Sequence, residues 1–470
     1  MNREAVLSDS PRRALTSWDY ALPVPADARR ALAAGWLILG VVALIASGVF
    51  SILLVLSRAP YVKDVFPLVD FFHVALVVHV DLSVLVWFIA FAGVLWSLSG
   101  EPRLFGVARA ALALAVLGTA LMAVSPFAGR GAPVIANYIP VLDGPVFLAA
   151  LVLVGAGFLA LVVRALGALP SAGAAPAETR ALSFGLAAAA ASALLALAAF
   201  AWSWSMLPGG LEPRIHYELL FWGGGHTLQF TWALLMMVAW LWLAGASGGR
   251  VPLSPRLATA LFALSVAPVL AVPWIYLAHD ITSPEHHRHF TQLMWYGGGI
   301  AMVPFTLAVA LGLARRRPEP GEQRVLRASL ICSMALFCFG GLIGFLIEGS
   351  NVKIPAHYHG SIVGITLALM GFSYYLLPRL GFGEPGPRLA MLQPYVYGGG
   401  QLLHIVGLLW SGGYGVQRKV AGAEQALRTP SEIAAMGLMG LGGLIAVIGG
   451  LLFLVVVLRA MARRGASAGS

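Results

Sequence analysis

The segment Ala356-His357-Tyr358-His359-Gly360 sets two histidines one residue apart inside a long apolar stretch. Residues at i and i+2 of an α-helix project about 200° apart, so the two imidazoles would face opposite sides of one rod. A ring nitrogen at membrane depth is costly unless it is hydrogen-bonded or metal-bound. Two back-to-back imidazoles could therefore each hold a haem iron, one on either side of the helix. The plainer alternative is a polar dyad near a helix end, satisfied by its neighbours, and the dyad alone does not choose between the two.

The elements that carry this dyad are membrane helices. The chain has 470 residues, 59% of them hydrophobic and only 11% charged, with a mean hydropathy of +0.85. That composition describes an all-α integral membrane protein and excludes a string of soluble domains. Apolar runs of the roughly 20 residues needed to cross a bilayer fall at 31–56, 68–98, 104–126, 141–167, 181–207, 214–245, 254–280, 290–314, 325–347, 353–380, 388–415 and 431–462. Twelve transmembrane helices are expected, numbered here in that order. Residues 1–30 form an N-terminal segment, 31–462 one membrane domain and 463–470 a tail. The run at 31–56 is too long for a removed signal peptide and lacks a cleavage site. Segment 168–180, rich in Ala, Pro, Ser and Gly, reads as a linker. The Ala/Leu-rich stretch 181–201 suits close helix packing.

Charge gives the orientation. With both termini cytoplasmic, most of the 30 Lys and Arg fall on the inner side, including Arg12, Arg13, Arg29, Arg30 and the cluster Arg315-Arg316-Arg317 with Arg324 and Arg327. This is the positive-inside pattern of a multi-pass protein of the cell's inner (plasma) membrane. The net charge of +10 then points to anionic lipid headgroups of the bilayer and not to nucleic acid. Cys332 and Cys338 share one helix and form no CxxC or CxxCH motif, so neither a disulfide framework nor a covalent c-type haem is expected.

The eleven histidines gather on the outer side of this map. His73 and His79 lie in the outer half of helix 2, His216 and His226 in that of helix 6, and His279 at the outer end of helix 7. His286, His287 and His289 follow in the next outer loop, and His357 and His359 open helix 10. Only His404, midway along helix 11, stands apart. A single intramembrane histidine is usually a structural hydrogen-bonder; several converging at one depth favour a metal or haem.

His79, Gly223-Gly224-Gly225-His226, His279 and His357-Tyr358-His359, ordered on helices 2, 6, 7 and 10, resemble the catalytic subunit of the haem–copper oxidase superfamily over nearly the whole chain. The resemblance implies that His79 and His359 are the axial ligands of a low-spin haem. It implies further that His357 is the single axial ligand of a high-spin haem, and that His226 ligates a non-haem iron or copper facing it. One helix holding both haems keeps the electron gap short.

Two departures from the family pattern bear on the substrate. Oxygen-reducing members place two adjacent histidines on helix 7. Here the candidates are His279-Asp280, after the apolar run Leu277-Ala278, and His286-His287, beyond Pro284. Pro284 disfavours helix at Ser283, so helix 7 is expected to end before the His286-His287 pair, leaving it in the loop. The family's tyrosine, four residues after the helix 6 histidine, is replaced by Phe230. The alternative position on helix 7 gives Pro273 or Asp280. Tyr276 is offset by about one turn, and Tyr217 lies more than two turns before His226. Tyr276 is retained as a candidate catalytic residue together with Gln229, which shares the helix face of His226. A carboxylate ligand favours iron over copper. With the missing tyrosine it leans the expectation towards reduction of NO to N2O, the alternative being reduction of O2 to water; a His286-His287 pair would tip it back towards O2.

Candidate buried acids for proton supply are Asp70, Asp81, Asp143, Glu218 and Glu348, each also readable as a plain hydrogen-bonding acid. Asp81 should point away from His79 and pair with another helix. Electrons must arrive from a partner subunit, a soluble cytochrome or copper protein, or a quinol. Trp202, Trp204, Trp222, Trp240 and Trp242 read mainly as interface anchors and packing. A secondary transporter and a non-catalytic assembly subunit are the competing classes. The first is disfavoured by the missing internal repeat and the one-sided histidines.

Overall fold

The computed structural model describes residues 17–56, 71–128, 131–170, 175–416 and 429–463. It is a bundle of long helices: α1 (Ala28–Leu56), α2 (Phe71–Ser99), α3 (Phe105–Ala128), α4 (Pro145–Gly167), α5 (Ala177–Met206) and α6 (Pro213–Ala246). After these come α7 (Pro255–Ala278), α8 (Pro284–Ala314), α9 (Glu322–Gly344), α10 (Lys353–Arg379), α11 (Pro387–Gly413) and α12 (Pro430–Ala462). Among the described residues eleven helices are long and apolar enough to cross a membrane. The remaining one, α11, matches them in length but carries Gln393, Gln401 and His404 among its glycines. Proline at the first turn opens α4, α6, α11 and α12, where its missing N–H costs nothing.

The helices are not equally central. In α6 and α10, 83% of the apolar window is buried, against 33% in α3, α8 and α12. The two helices bearing His226 and the His357/His359 dyad therefore form the middle of the bundle, and the outer ones turn Phe127, Val303 and Leu444 to the lipid side.

Three details differ from the sequence expectation. Helix α2 contains a π-helical stretch, Asp81–Val86, directly after His79. A two-stranded hairpin, β1 (Ala132–Val134) with β2 (Val141–Asp143), fills the α3–α4 connection, so α4 begins at Pro145 and not at 141. The third is α8: it starts at Pro284, with the Ser283 side chain accepting from the His286 amide at 3.2 Å, so His286, His287 and His289 lie in its first turns and not in a loop. The preceding helix does end before the pair, already at Ala278, but Pro284 then begins the next one at its favoured first position.

Candidate functional site

On α10 the two imidazoles diverge as their spacing requires. His357 turns towards α9, where its Nδ1–H donates to the carbonyl of Gly340 at 2.7 Å. Glycines permit this approach: a Cβ on Gly360 would stand 2.5 Å from the Cα of Gly340, and one on Gly344 would stand 2.9 Å from the His357 Nδ1. His359 faces the other side, its ring centroid 4.8 Å from that of His404 on α11, and it lies within electrostatic reach of His79 as well. His79 is pinned to α1, its Nδ1 3.0 Å from the Ser47 carbonyl and 2.9 Å from the Ser47 hydroxyl, which itself donates to the His79 carbonyl. Fixing Nδ1 by a carbonyl sets the tautomer and leaves the Nε2 lone pair free, the arrangement of a metal-ligating histidine.

Around α6 the glycine run explains itself. A Cβ on Gly223 would collide with the Tyr276 hydroxyl, one on Gly224 with the Phe200 ring, and one on Gly225 with the Tyr138 ring. Three aromatic side chains from three other elements thus close on the α6 backbone beside His226. Tyr138 comes from the β1–β2 connection and adopts φ +70, a left-handed conformation costing a non-glycine residue about 1–2 kcal/mol. The connection is clasped to α6 by the Asn137 amide donating to Glu218 at 3.2 Å and by the Tyr217 hydroxyl donating to Asp143 at 2.8 Å. The Tyr138 hydroxyl then reaches the Nε2 of His226 at 2.8 Å, while Nδ1–H of His226 donates to the Trp222 carbonyl at 2.7 Å. Gln229 lies close enough to the Tyr138 hydroxyl to act on it, and burial pushes that phenol above its usual range. Nothing in the sequence near Tyr138 announces this role. The only hint is Gly225, which lacks the side chain that would exclude the ring.

The α7–α8 junction separates the two candidate pairs. His279 stacks on His289 at 4.8 Å and meets Trp274 edge-on at 5.8 Å. Asp280 is exposed, and its carboxylate accepts from the Thr282 amide at 2.8 Å and hydroxyl at 2.5 Å, bonds that hold its carboxyl below the usual range. His286, by contrast, is fully buried, and neither ring nitrogen has a hydrogen-bond partner among the described residues. It packs against Tyr276 and Phe290, each at 5.0 Å, and Phe290 in turn lies 5.6 Å from His226. His287 sits 4.8 Å from Trp222, whose ring is 4.7 Å from His226. Tyr276 presents its ring to His286 but turns its hydroxyl to Ser203 at 2.7 Å and the Ala199 carbonyl at 3.1 Å.

A non-haem metal fits the donor chemistry here, because an unpartnered, fully buried imidazole is costly until something ligates it. The imidazoles stand apart, however: among the described residues no three His, Cys, Asp or Glu converge closely enough to hold a metal ion. A metal on His226 Nε2 would also have to displace the Tyr138 hydroxyl from the same lone pair.

The acids divide. Asp143 and Glu218 clasp the hairpin, as above. Asp81 is buried at the start of the π stretch, and its carboxylate has no hydrogen-bond partner among the described residues, so the expected interhelical pairing is not found there. Glu348 is exposed, and Asp70 lies outside the described residues. Of the tryptophans, Trp240 donates to Ser333 at 2.8 Å, and Trp242 lies in the core. Trp204 is largely exposed, Trp202 stacks on Tyr276, and Trp222 belongs to the His226 surroundings. Cys332 and Cys338 are free thiols.

The chain is 29% identical to an uncharacterised protein of Rickettsia prowazekii (strain Madrid E), over 90% of this chain and 95% of the relative. It is 27% identical to an uncharacterised protein of Aquifex aeolicus (strain VF5), over 77% and 88%. Its fold matches that of a haem–copper terminal oxidase dimer with a TM-score of 0.71 at 19% identity, covering 95% of this chain and 86% of the other. The family profile described as cytochrome c and quinol oxidase polypeptide I matches residues 31–452. The chain is therefore a member of that family, the subunit I-like branch of the haem–copper oxidase superfamily, and as such an oxidoreductase built as an all-α membrane bundle.

Proposed function

We propose that this chain is the catalytic subunit of a terminal respiratory oxidase of the inner membrane, reducing O2 to water (O2 + 4 H⁺ + 4 e⁻ → 2 H2O). His79 and His359 would hold the low-spin haem, His357 the high-spin haem, and His226, His286 and His287 a copper once their rings, which stand apart in the structure, close on it. The observation that carries this reading is His286, buried with two unpartnered ring nitrogens in the same aromatic cluster as His226, while Asp280 is exposed and committed to Thr282. An all-nitrogen donor set suits copper, whereas a carboxylate would have favoured iron. When bound, the haems and the metal supply the electron transfer and the open coordination position.

The protein's own groups then have distinct tasks. Ser47 and Gly340 hold His79 and His357 in one tautomer. Trp222 holds the Nδ1 proton of His226. The Tyr138 hydroxyl keeps a proton 2.8 Å from His226 Nε2 and within reach of Gln229. Phe290, Trp222 and Tyr276 surround the imidazoles and exclude water. Electrons come from outside the chain, from a partner subunit, a soluble cytochrome or copper protein, or a quinol.

A second reading, reduction of NO (2 NO + 2 H⁺ + 2 e⁻ → N2O + H2O) at a non-haem iron, is favoured by Phe230 in the place of the helix 6 tyrosine and by Gln229 on the His226 face. Metal analysis and turnover of the reduced protein separate them. The oxidase reading expects rapid O2 uptake, one copper per chain and little NO consumption. Anaerobic NO consumption with iron in place of copper and slow O2 uptake would overturn it. A visible spectrum without haem bands would sink both.

A further inference from the structure

We propose that His404 is a third imidazole of the low-spin haem pocket, able to take the axial position of His359; the inference rests on assigning His79 and His359 to that haem. His404 lies midway along α11 with its ring 4.8 Å from that of His359 and the planes at 65°. Its Nδ1–H donates to the carbonyl of Met439 on α12 at 2.9 Å, which leaves the Nε2 lone pair free. That is the pinning seen at His79 on Ser47 and at His357 on Gly340, and it is the second contact that orients a ligating histidine. His359 differs: its ring has no hydrogen-bond partner among the described residues, so nothing of this kind fixes its tautomer. Of the two neighbouring imidazoles, the one not on α10 is the one built like a ligand.

The surroundings of His404 are shaped for it. A Cβ on Gly442 would collide with the His404 backbone nitrogen, and one on Gly443 would stand 3.3 Å from its Nδ1. Glycine at both positions lets α12 come close enough for the Met439 carbonyl to reach the ring. If the ring only filled space, an aliphatic side chain would do so without bringing a buried polar group into the bilayer.

The test is spectroscopic and needs no turnover. In the detergent-purified full chain, haem per protein is counted, and low-spin ferric haem is read by electron paramagnetic resonance. We expect His359→Ala to keep the low-spin signal with shifted g values, and His359→Ala/His404→Ala to lose that signal and one of the two haems. Added imidazole should restore the signal in the double variant, which shows that its pocket is folded, and should be unnecessary in His359→Ala. The proposal is overturned if His359→Ala alone loses the low-spin haem, recovers it only with imidazole, and His404→Ala is indistinguishable from the parent. A parent protein without any low-spin haem would instead overturn the assignment of His79 and His359, and the proposal with it.

Discussion

Around α10 three imidazoles are held by a backbone carbonyl of a neighbouring helix: His357 by Gly340 of α9, His79 by Ser47 of α1, His404 by Met439 of α12. Around α6 the corresponding positions are filled by a loop tyrosine at φ +70, a helix start and a set of aromatic rings resting on three glycines. The first region is made by helix spacing and close helix–helix approach, and is rigid wherever the helices are. The second depends on contacts between elements far apart in sequence, with no carbonyl among the described residues pinning the buried His286. A relay needs fixed partners, whereas a centre that admits a substrate needs groups able to rearrange, and the two constructions follow that difference.

The largest expected effect comes from the rigid side. His357→Ala should remove the high-spin haem and lower turnover by more than about 100-fold, since even losing a ligand's supporting contact costs about 10–100-fold. Haem count and turnover check it, and retained high-spin haem would break the contrast outright. On the adaptable side, His286→Ala should empty the non-haem site while Asp280→Ala leaves it filled, as read by metal analysis; the reverse result would move the site to the end of α7. Tyr138→Phe keeps the ring packed on Gly225 but removes the hydroxyl. Turnover should fall by about 10–100-fold with haem content unchanged, as for loss of a group supporting a metal ligand. Gly225→Ala forces a methyl against that ring and should cost about 1–3 kcal/mol of stability, the range for overpacking, measured by thermal unfolding in detergent. The smallest effect is expected from Ser47→Ala. It deletes the hydroxyl but leaves the Ser47 carbonyl on His79, so the low-spin spectrum should persist with a slight shift.

The helices are legible because each must satisfy its own backbone in lipid, which writes a long apolar run into the sequence. The divergence of His357 and His359 is legible for a similar reason, being fixed by helical geometry alone. What stays hidden is tertiary. Pro284 reads as a helix stop, yet a proline at the first position is equally a start, and only the Ser283 cap on the His286 amide decides between them. Tyr138 cannot be found from its neighbours, since it is placed by Asp143 and Glu218 clasping a hairpin to α6. Those two acids are candidate proton relays by sequence, and the hydrogen bonds they accept are the more ordinary use. His404 looks isolated along the chain because its companion lies on another helix.

The π-helical stretch in α2 has a bearing on how this protein could vary. Such a stretch accommodates one residue more than the α-helix around it. Deleting a single residue between Asp81 and Val86 would let α2 wind regularly with both flanks in their present phase, His79 still on Ser47 and Trp87, Phe88 and Phe91 still in the core. Winding the same residues as regular α-helix without that deletion would instead turn the segment bearing His79 by about 100° and swing the ring away from Ser47. The π stretch thus absorbs one residue of length while keeping the ligand in phase with the packing.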